Sequence, residues 1–479
     1  MVLALDSGTS SSRALAWDEQ GRVVALAQQV LPSRYPKPGW VEQSGEEIFH
    51  SQLEAARDVV RDIGVQQIRC VALANQRETS LLWDRTSREA LGPAIVWQCR
   101  RTAGAAAELL AARGDEVRVR SGLRPDAYFS GLKFAWLLDH VPGARDRAAR
   151  GDLVAGTVDT WLLANLTDGD VFATDRTNAS RTMLWNLTER RWDAGLCEWQ
   201  QVPDVMLPEV RPSAHEYGHT APSLFGAPLP ILAVAGDQQA ALYGHGIQEP
   251  GRAKCTYGTG AFILTHAGES VEAASPPPGL LLTASADGGL ALEGGVFTAG
   301  SVVQWLRDEL RLATTAPEIS ALAEAARSSQ GVILIPALAG LGSPHWDADA
   351  RGAILGITRG TTAGQIARAA LESIAFRVRE VVEAMEAEHG NIDELRVDGG
   401  MSSSDTLLQI QSNALQRPVI RPAIQETTAL GAARLAAEAA GGSLDLADAS
   451  ERFEPTGELE QEFDRWSTAR RAIQRIAGN

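Results

Sequence analysis

Short apolar runs alternate with longer amphipathic ones along this chain. Residues 2–5, 13–17 and 23–28 read as three successive strands with tight polar turns between them. Residues 46–63 place Ile48, Leu53, Ala56, Val59 and Val60 on one face of a 3.6-residue period, which predicts an amphipathic helix. Residues 68–74 predict another apolar strand. The order βββαβ is a mixed α/β plan. A comparable order recurs in the second half, where 253–257, 261–266 and 280–284 read as strands. Residues 363–388 predict a long helix, with Ile366, Ala370, Ile374, Val378, Val382 and Met385 on its buried face and Thr361 or Thr362 as N-cap. Residues 395–397 predict a strand running into Asp398-Gly-Gly-Met-Ser-Ser-Ser404 and a further helix. Two halves led by three strands each predict a duplicated architecture, with domains over 1–244 and 245–479. The proline-rich piece at 276–279 reads as a surface turn.

Composition narrows the partners. The 479 residues carry a net charge of −16, which argues against nucleic acid and anionic membranes. Any nucleotide must therefore be held by local groups. Cys70, Cys99, Cys197 and Cys255 form no Cys-x-x-Cys pair and read as idle thiols in a reducing cytosol. No run reaches the ~18 apolar residues of a membrane span. The N-terminus has no basic region followed by a cleavable apolar segment. The expectation is a cytoplasmic protein with no membrane insertion.

Two loops combine glycine with hydroxyl groups. The first is Asp6-Ser-Gly-Thr-Ser-Ser-Ser-Arg13 and the second Thr256-Tyr-Gly-Thr-Gly260. Gly8 permits close backbone approach, and Thr9, Ser10 and Ser11 supply neutral donors suited to a β- or γ-phosphate. Arg13 adds a fixed positive charge, and Asp6 suits a water on Mg²⁺. A third loop, 397–401, opens a helix and is placed to approach the adenosine and α-phosphate. Other nucleotide plans are excluded. The chain has no Gly-Lys pair for a Walker loop, no Gly-x-Gly-x-x-Gly after a strand, and neither His-Arg-Asp nor Asp-Phe-Gly.

An apolar run ending at Gly236 delivers a lone carboxylate, Asp237, followed by Gln238. Asn75-Gln-Arg-Glu78 follows the 68–74 strand, so Arg77 and Glu78 sit at a strand's C-terminal edge, where α/β sites form. Trp97 ends another strand-like run, Tyr128 offers a phenol, and Phe262 lies just past the second loop. An arginine and a carboxylate clamp vicinal hydroxyls while aromatic rings wall a carbon backbone. With a base between two phosphate loops, these residues suggest a kinase that phosphorylates a small polyol.

The longer stretches resemble a known family. Tyr35-Pro-Lys-Pro-Gly-Trp-Val-Glu42, Ile95-Val-Trp-Gln-Cys-Arg-Arg-Thr102, Thr177-Asn-Ala-Ser-Arg-Thr-Met183 and Gly236-Asp-Gln-Gln-Ala-Ala241 are similar to the glycerol kinases among the FGGY carbohydrate kinases. Both FGGY signatures fit, one at 128–140 and one running from Gly352 to Glu372. The resemblance implies two ribonuclease-H-like domains of the actin/Hsp70/sugar-kinase superfamily around a central cleft. It implies ATP-dependent, Mg²⁺-assisted phosphorylation of glycerol to sn-glycerol 3-phosphate, the first step of glycerol catabolism, with Asp237 as base. Glycerol would be held by Arg77, Glu78, Trp97, Tyr128, Asp237, Gln238 and Phe262. ATP would contact Thr9, Ser10, Ser11 and Arg13 in the first half and Thr259, Gly300, Gln304, Gly400 and Ser404 in the second. Asp6 and Asp237 would lie near the metal. Relatives form homodimers or homotetramers.

Departures and rivals remain in view. Ser7 replaces a usual Gln, Ser10 a Thr, and Ser404 an Asn that touches nucleotide. Rival readings are a kinase of another polyol or of a ketose such as xylulose or ribulose, and an ATP-hydrolysing binding protein. The Arg77/Glu78 pair with Trp97 and Phe262 favours three carbons, and Cys99 stands where sugar kinases tend to carry Asp. The glycine-rich loop that binds fructose 1,6-bisphosphate in enteric relatives is replaced by Thr220-Ala-Pro-Ser-Leu-Phe-Gly226, and the histidine phosphorylated in Gram-positive relatives is missing there. The expected outcome is undiminished activity in millimolar fructose 1,6-bisphosphate; measurable inhibition contradicts it.

Overall fold

The run Val-Leu-Ala-Leu near the N-terminus is buried on both faces and forms the middle of a six-stranded sheet, in a computed structural model that describes residues 1–269, 279–444 and 449–477. The expected turn at 276–279 lies outside the described residues, except for Gly279. The strands are β1 (Val2–Ser7), β2 (Ser11–Trp17), β3 (Val23–Val30), β4 (Cys70–Asn75), β5 (Ala214–His219) and β6 (Pro230–Gly236). Their order is β5-β6-β4-β1-β2-β3. β1 pairs antiparallel with β2 and parallel with β4, and β4 is parallel to β6. Such inner parallel strands, covered on both faces, read as continuous apolar runs.

A seven-stranded sheet repeats this plan. Its strands are β7 (Arg252–Tyr257), β8 (Ala261–His266), β9 (Leu281–Ala284), β10 (Leu290–Val296), β11 (Glu394–Asp398), β12 (Val419–Pro422) and β13 (Ser450–Phe453), in the order β9-β10-β8-β7-β11-β12-β13. Here β10-β8-β7-β11-β12 matches β3-β2-β1-β4-β6 in order and direction. One expectation needs correcting. The third strand of the repeat is β10, not the 280–284 segment, which forms β9 at the sheet's outer edge. Glu293 and two glycines interrupt the apolar run of β10 and disguise it, although all seven of its residues are buried.

Helices cover the sheets. α1 (Gly45–Ile63), capped by Ser44, buries Ile48, Leu53, Ala56, Val59 and Val60 against Leu3, Leu5, Val71 and Leu73. α2 (Ser130–His140) carries Lys133, which reaches the Glu78 and Tyr128 carbonyls. α3 (Asp237–Gly244) follows β6 directly, and α4 (Gly300–Asp308) follows β10. α5 (Ala363–His389) opens on a capping box in which Thr362 and Gln365 exchange hydrogen bonds, and it buries Ile374, Val378, Val382 and Met385 in the second core. α6 (Asp405–Leu415) and α7 (Thr427–Ala439) complete the layers.

α7 comes from the second half yet covers the first sheet. Ala429, Ala432, Ala433 and Ala436 cluster with Ala4, Ala72, Ala74 and Ala235. Small side chains on both sides let the backbones approach. The approach is tightest where α7 crosses α3: a Cβ on Gly431 would lie 1.7 Å from the Ala240 carbonyl oxygen. The two lobes are thus joined by a helix crossing with no room for a methyl group. No helix among the described residues is long and apolar enough to cross a membrane.

Gly431→Ala is expected to cost about 1–3 kcal/mol or more through overpacking. Gly104→Ala, whose Cβ meets nothing within 4 Å in the helix Ala103–Ser121, is expected to be neutral or stabilising by ~0.5–1 kcal/mol. Thermal unfolding of the two variants checks this; equal midpoints would contradict the close crossing.

Candidate active site

The C-terminal ends of the parallel strands β4 and β6 open into one cleft of about 340 Å³ between the lobes. β4 delivers Arg77 and Glu78, and β6 delivers Asp237 as the first residue of α3. Trp97, Tyr128, Gln238 and Phe262 line the same cleft, with Thr9 and Ser10 of the first loop and Gly258, Thr259 and Gly260 of the second. All seven residues expected to hold a polyol therefore meet.

Three rings form one wall. Trp97 stands edge-on to Tyr128 at 5.7 Å and to Phe262 at 5.9 Å, and Phe262 reaches in from the second sheet. Trp97 Nε1 donates to Thr9 Oγ1 at 2.9 Å, which ties this wall to the first glycine-hydroxyl loop. Asp237 keeps 29% of its side chain open, and its Oδ1 accepts from the Gln238 N–H at 2.7 Å. Burial raises the Asp237 carboxyl above its ordinary range, with Arg77 and Lys254 opposing. Lys254 Nζ itself bonds Gln238 Oε1 and, at 2.8 Å, Thr256 Oγ1.

Beneath the slot lies a concentration of buried charge. Arg77 Nη1 and Nη2 donate to Glu293 Oε2 and Oε1 at 2.6 and 2.9 Å, and Nη1 also donates to Gln239 Oε1 at 3.1 Å. Arg77 Nε lies 3.2 Å from Asp237 Oδ1. Arg181 Nε donates to Glu78 Oε1 at 2.5 Å. Glu78 itself sits in the left-handed region at φ 59°, a conformation that costs a side-chain-bearing residue energy. Its carbonyl oxygen accepts from Ser80 Oγ at 2.9 Å, Lys133 Nζ at 3.1 Å and Ser130 Oγ at 3.2 Å, and these donors hold the strained turn. Lys133, fully buried on α2, also donates to the Tyr128 carbonyl at 2.7 Å. Burial pulls the Lys133 ammonium down to about 7.

The residues expected to contact nucleotide fall into groups. Gly8 N–H closes on the Ser11 carbonyl at 3.0 Å, making the first loop a tight turn, and Ser10 is exposed at its tip. Arg13 forms an ion pair with Glu426, at the start of α7. Burial, reinforced by the Asp237 and Glu426 charges and opposed by Arg13, pushes Asp6 up to about 7. The first-turn N–H groups of α4 are spent on the second loop: Gly300 N bonds Gly258 O at 3.0 Å and Ser301 N bonds Thr259 O at 3.0 Å. A Cβ on Gly300 would lie 2.5 Å from Gly258 O, and 3.1 Å from Met401 Sδ, so Thr259, Gly300 and the third loop converge. Gln304 and Gly400 are exposed beside them. Ser11, Arg13, Gly300, Gln304, Gly400 and Ser404 are not among the residues lining the cleft itself. Ser404 caps α6, accepting from Leu407 N at 3.3 Å, and its hydroxyl lies 2.9 Å from Ser320 Oγ.

Arg181, Glu293, Lys254 and Lys133 escaped the reading of the sequence. The available signal was a lone charge inside an apolar run, the same one that singled out Asp237. Glu293 in β10 carries it, whereas Lys254 in β7 follows Arg252 by two residues and does not. Arg181 lay within the Thr177–Met183 stretch, and Lys133 within the first signature.

Strands that present a carboxylate and two glycine-hydroxyl loops to an interlobe cleft define a phosphoryl-transfer enzyme of the sugar-kinase class. The N-terminal domain of the FGGY family of carbohydrate kinases matches residues 1–244 and its C-terminal domain residues 253–440, so the chain belongs to the FGGY family of carbohydrate kinases. Within it, the similarity runs to glycerol kinases. One from Rhodopirellula baltica is 48% identical over 478 residues, 98% of this chain and 88% of that protein. The crystal structure of Plasmodium falciparum glycerol kinase with ADP superposes with a TM-score of 0.89 at 32% identity, covering 99% of this chain and 97% of that one. A xylulose kinase from Rhodospirillum rubrum, 23% identical over the whole of both chains, shares the fold with a TM-score of 0.87. The two-lobed fold expected from the resemblance is the one observed.

Lys133 makes the site's stability depend on pH. Its folded-state pKa of about 7 lies below the ordinary 10.5, so the unfolded chain binds the extra proton between those values. Unfolding free energy therefore gains up to ~1.4 kcal/mol per pH unit across that window, and loses it as pH falls back toward 7. Denaturant unfolding of wild type and Lys133→Met at pH 7.5, 8.5 and 9.5 is expected to show a difference that changes with pH; a constant difference contradicts it.

Proposed function

We propose that the protein transfers the γ-phosphoryl group of ATP to a terminal hydroxyl of glycerol, yielding sn-glycerol 3-phosphate and ADP, with Asp237 as general base. The observation that carries this reading is the meeting of Arg77, Glu78, Trp97, Tyr128, Asp237, Gln238 and Phe262 around one cleft, facing both phosphate loops. Similarity to glycerol kinases over nearly the full chain supports it.

The chemistry follows from the groups present. Glu78 accepts hydrogen bonds from two neighbouring hydroxyls, and an Nη2 hydrogen of Arg77 donates to one of them. The Trp97–Tyr128–Phe262 wall covers the carbon chain. The terminal hydroxyl attacks the γ-phosphorus in line: its O–H bond breaks, an O–P bond forms, and the bond from the γ-phosphorus to the β-bridging oxygen breaks as ADP departs. Asp237 takes the proton. Burial raises its proton affinity above that of a free carboxylate, which suits a base. Thr9, Ser10, Ser11 and Arg13 hold the β- and γ-phosphates, while Thr259, Gly300, Gln304, Gly400 and Ser404 flank the rest of the nucleotide. Excluding water from the closed cleft matters because water competes as acceptor.

The residues present fit Mg²⁺. The Asp237 charge raises the proton affinity of Asp6, so the two carboxylates lie near one another, and a pair of carboxylates completed by phosphate oxygens and water is the usual Mg²⁺ arrangement. Charge neutralisation across the β- and γ-phosphates is the chemistry that the ion supplies when bound there.

A coupled assay of ADP release is expected to show turnover with glycerol well above that with dihydroxyacetone, erythritol, xylulose or ribulose. Glycerol-independent ATP turnover at the same rate would favour a nucleotide-dependent binding protein instead. Asp237→Asn is expected to lose at least about 10²-fold in kcat while still binding ATP. Near-normal turnover of that variant would remove the base assignment.

A further inference from the structure

Two residues with no place in the proposed chemistry complete a ring of four buried charges under the acceptor slot. Arg77 and Glu78 follow β4, Arg181 follows the short helix Arg176–Ala179, and Glu293 comes from β10 of the other lobe. Glu293 takes both Arg77 Nη groups at 2.6 and 2.9 Å and lies 3.3 Å from Arg181 Nη1. Arg181 Nε reaches Glu78 at 2.5 Å, and Glu78 lies 3.9 Å from Arg77 Nε, which closes the ring. All four side chains are at most 2% exposed. Two positive and two negative charges leave the ring neutral.

The ring is poorly arranged for stability alone. Arg181 is fully buried, yet its Nη2 has no hydrogen-bond partner among the described residues, and its Nη1 has only the ion contact with Glu293, without hydrogen-bond geometry. Its guanidinium instead packs 5.1 Å from the Tyr128 and Phe129 rings. Unsatisfied buried donors cost on the order of 1–3 kcal/mol, and buried ion networks are often no better than apolar packing. What the ring does accomplish is orientation. We propose that Arg181 and Glu293 are positioning residues of the acceptor site: Arg181 fixes the Glu78 carboxylate toward the slot, and Glu293 fixes Arg77 beside Asp237. Because Glu293 belongs to the second sheet, that lobe contributes a charged positioning residue to glycerol recognition in addition to the Phe262 ring.

The charges facing Glu78 are those of Arg77, Lys133, Arg181 and Glu293, with the Tyr128 phenol and, beyond Arg77, Asp237. Burial raises the Glu78 carboxyl, Arg181 is the strongest opposing charge, and Glu293 adds to the rise. The two positioning residues therefore act on Glu78 with opposite signs. Loss of Arg181 drives Glu78 toward its protonated form, in which one oxygen becomes a donor and the carboxyl no longer accepts from two hydroxyls as an anion. Loss of Glu293 does not, and instead frees Arg77.

This inference rests on the proposed glycerol kinase activity. The test is steady-state kinetics of the full chain as a function of glycerol, ATP and pH. Wild type inactive on glycerol would sink the activity itself; the inference is judged when wild type is active. Arg181→Met and Glu293→Gln are each expected to raise the glycerol KM about tenfold or more while the ATP KM stays within about threefold. Rising pH is expected to lower the glycerol KM of Arg181→Met but not of Glu293→Gln. The double variant, with one charge of each sign removed, is expected to be about tenfold less impaired than the product of the single effects. Arg181→Lys, which keeps the charge, is expected to recover part of the loss; if Arg181→Met does not fold, Arg181→Lys and Glu293→Gln carry the test. Unchanged glycerol KM, equal rises for both substrates, or a strictly multiplicative double variant would overturn the proposal.

Discussion

Arg77 brings a full positive charge to a place with almost no water, and the cleft is organised around meeting that demand. Removing a cation from water costs several kcal/mol unless carboxylates and hydrogen bonds replace the lost hydration. Here Glu293 supplies a two-point contact from one lobe, and Gln239 and Asp237 supply partners from the other. Removal of any one carboxylate leaves Arg77 under-compensated. The same constraint explains why Asp237, only 3.2 Å from Arg77, keeps a defined orientation while part of its side chain faces the cleft.

The scaffold makes this placement inexpensive. β4 and β6 are parallel neighbours, so their C-terminal ends deliver Arg77, Glu78 and Asp237 to one edge without any long loop. The repeated strand order puts the β7–β8 turn, with its glycines, opposite the β1–β2 turn, and the two glycine-hydroxyl loops face a common space. The crossing of α3 and α7 at Gly431 and Ala240 sets the lobes against each other just behind Asp237, which heads α3.

Much of this was legible along the chain. Apolar runs located β1, β4 and β6, and the helical period located α1 and α5, because burial imposes those patterns. Asp237, Arg77 and Glu78 were legible because a charge placed just after a buried strand has few structural reasons to be there. Other features were not. Glu293 and two glycines break the apolar pattern of β10, so a buried strand passed unnoticed while its neighbour β9 took its place. Glu293 and Lys254 are charges inside strands whose partners lie in the other half of the sequence, and no spacing rule links them to Arg77 or Gln238. The residues of α7 fall within 245–479, the span expected for the second domain; only packing reveals that their alanine face belongs against the first sheet. Long-range pairing is the information that a linear reading lacks.

The central claim is geometric, and a crystal structure of the protein with glycerol and a non-hydrolysable ATP analogue tests it most directly. The account predicts a terminal glycerol oxygen within about 2.6–3.2 Å of an Asp237 carboxylate oxygen, the other hydroxyls on Arg77 and Glu78, and the γ-phosphate between the two glycine-hydroxyl loops. Glycerol bound away from the Arg77–Glu78 pair, or an Asp237 carboxylate turned from both ligands, would contradict it.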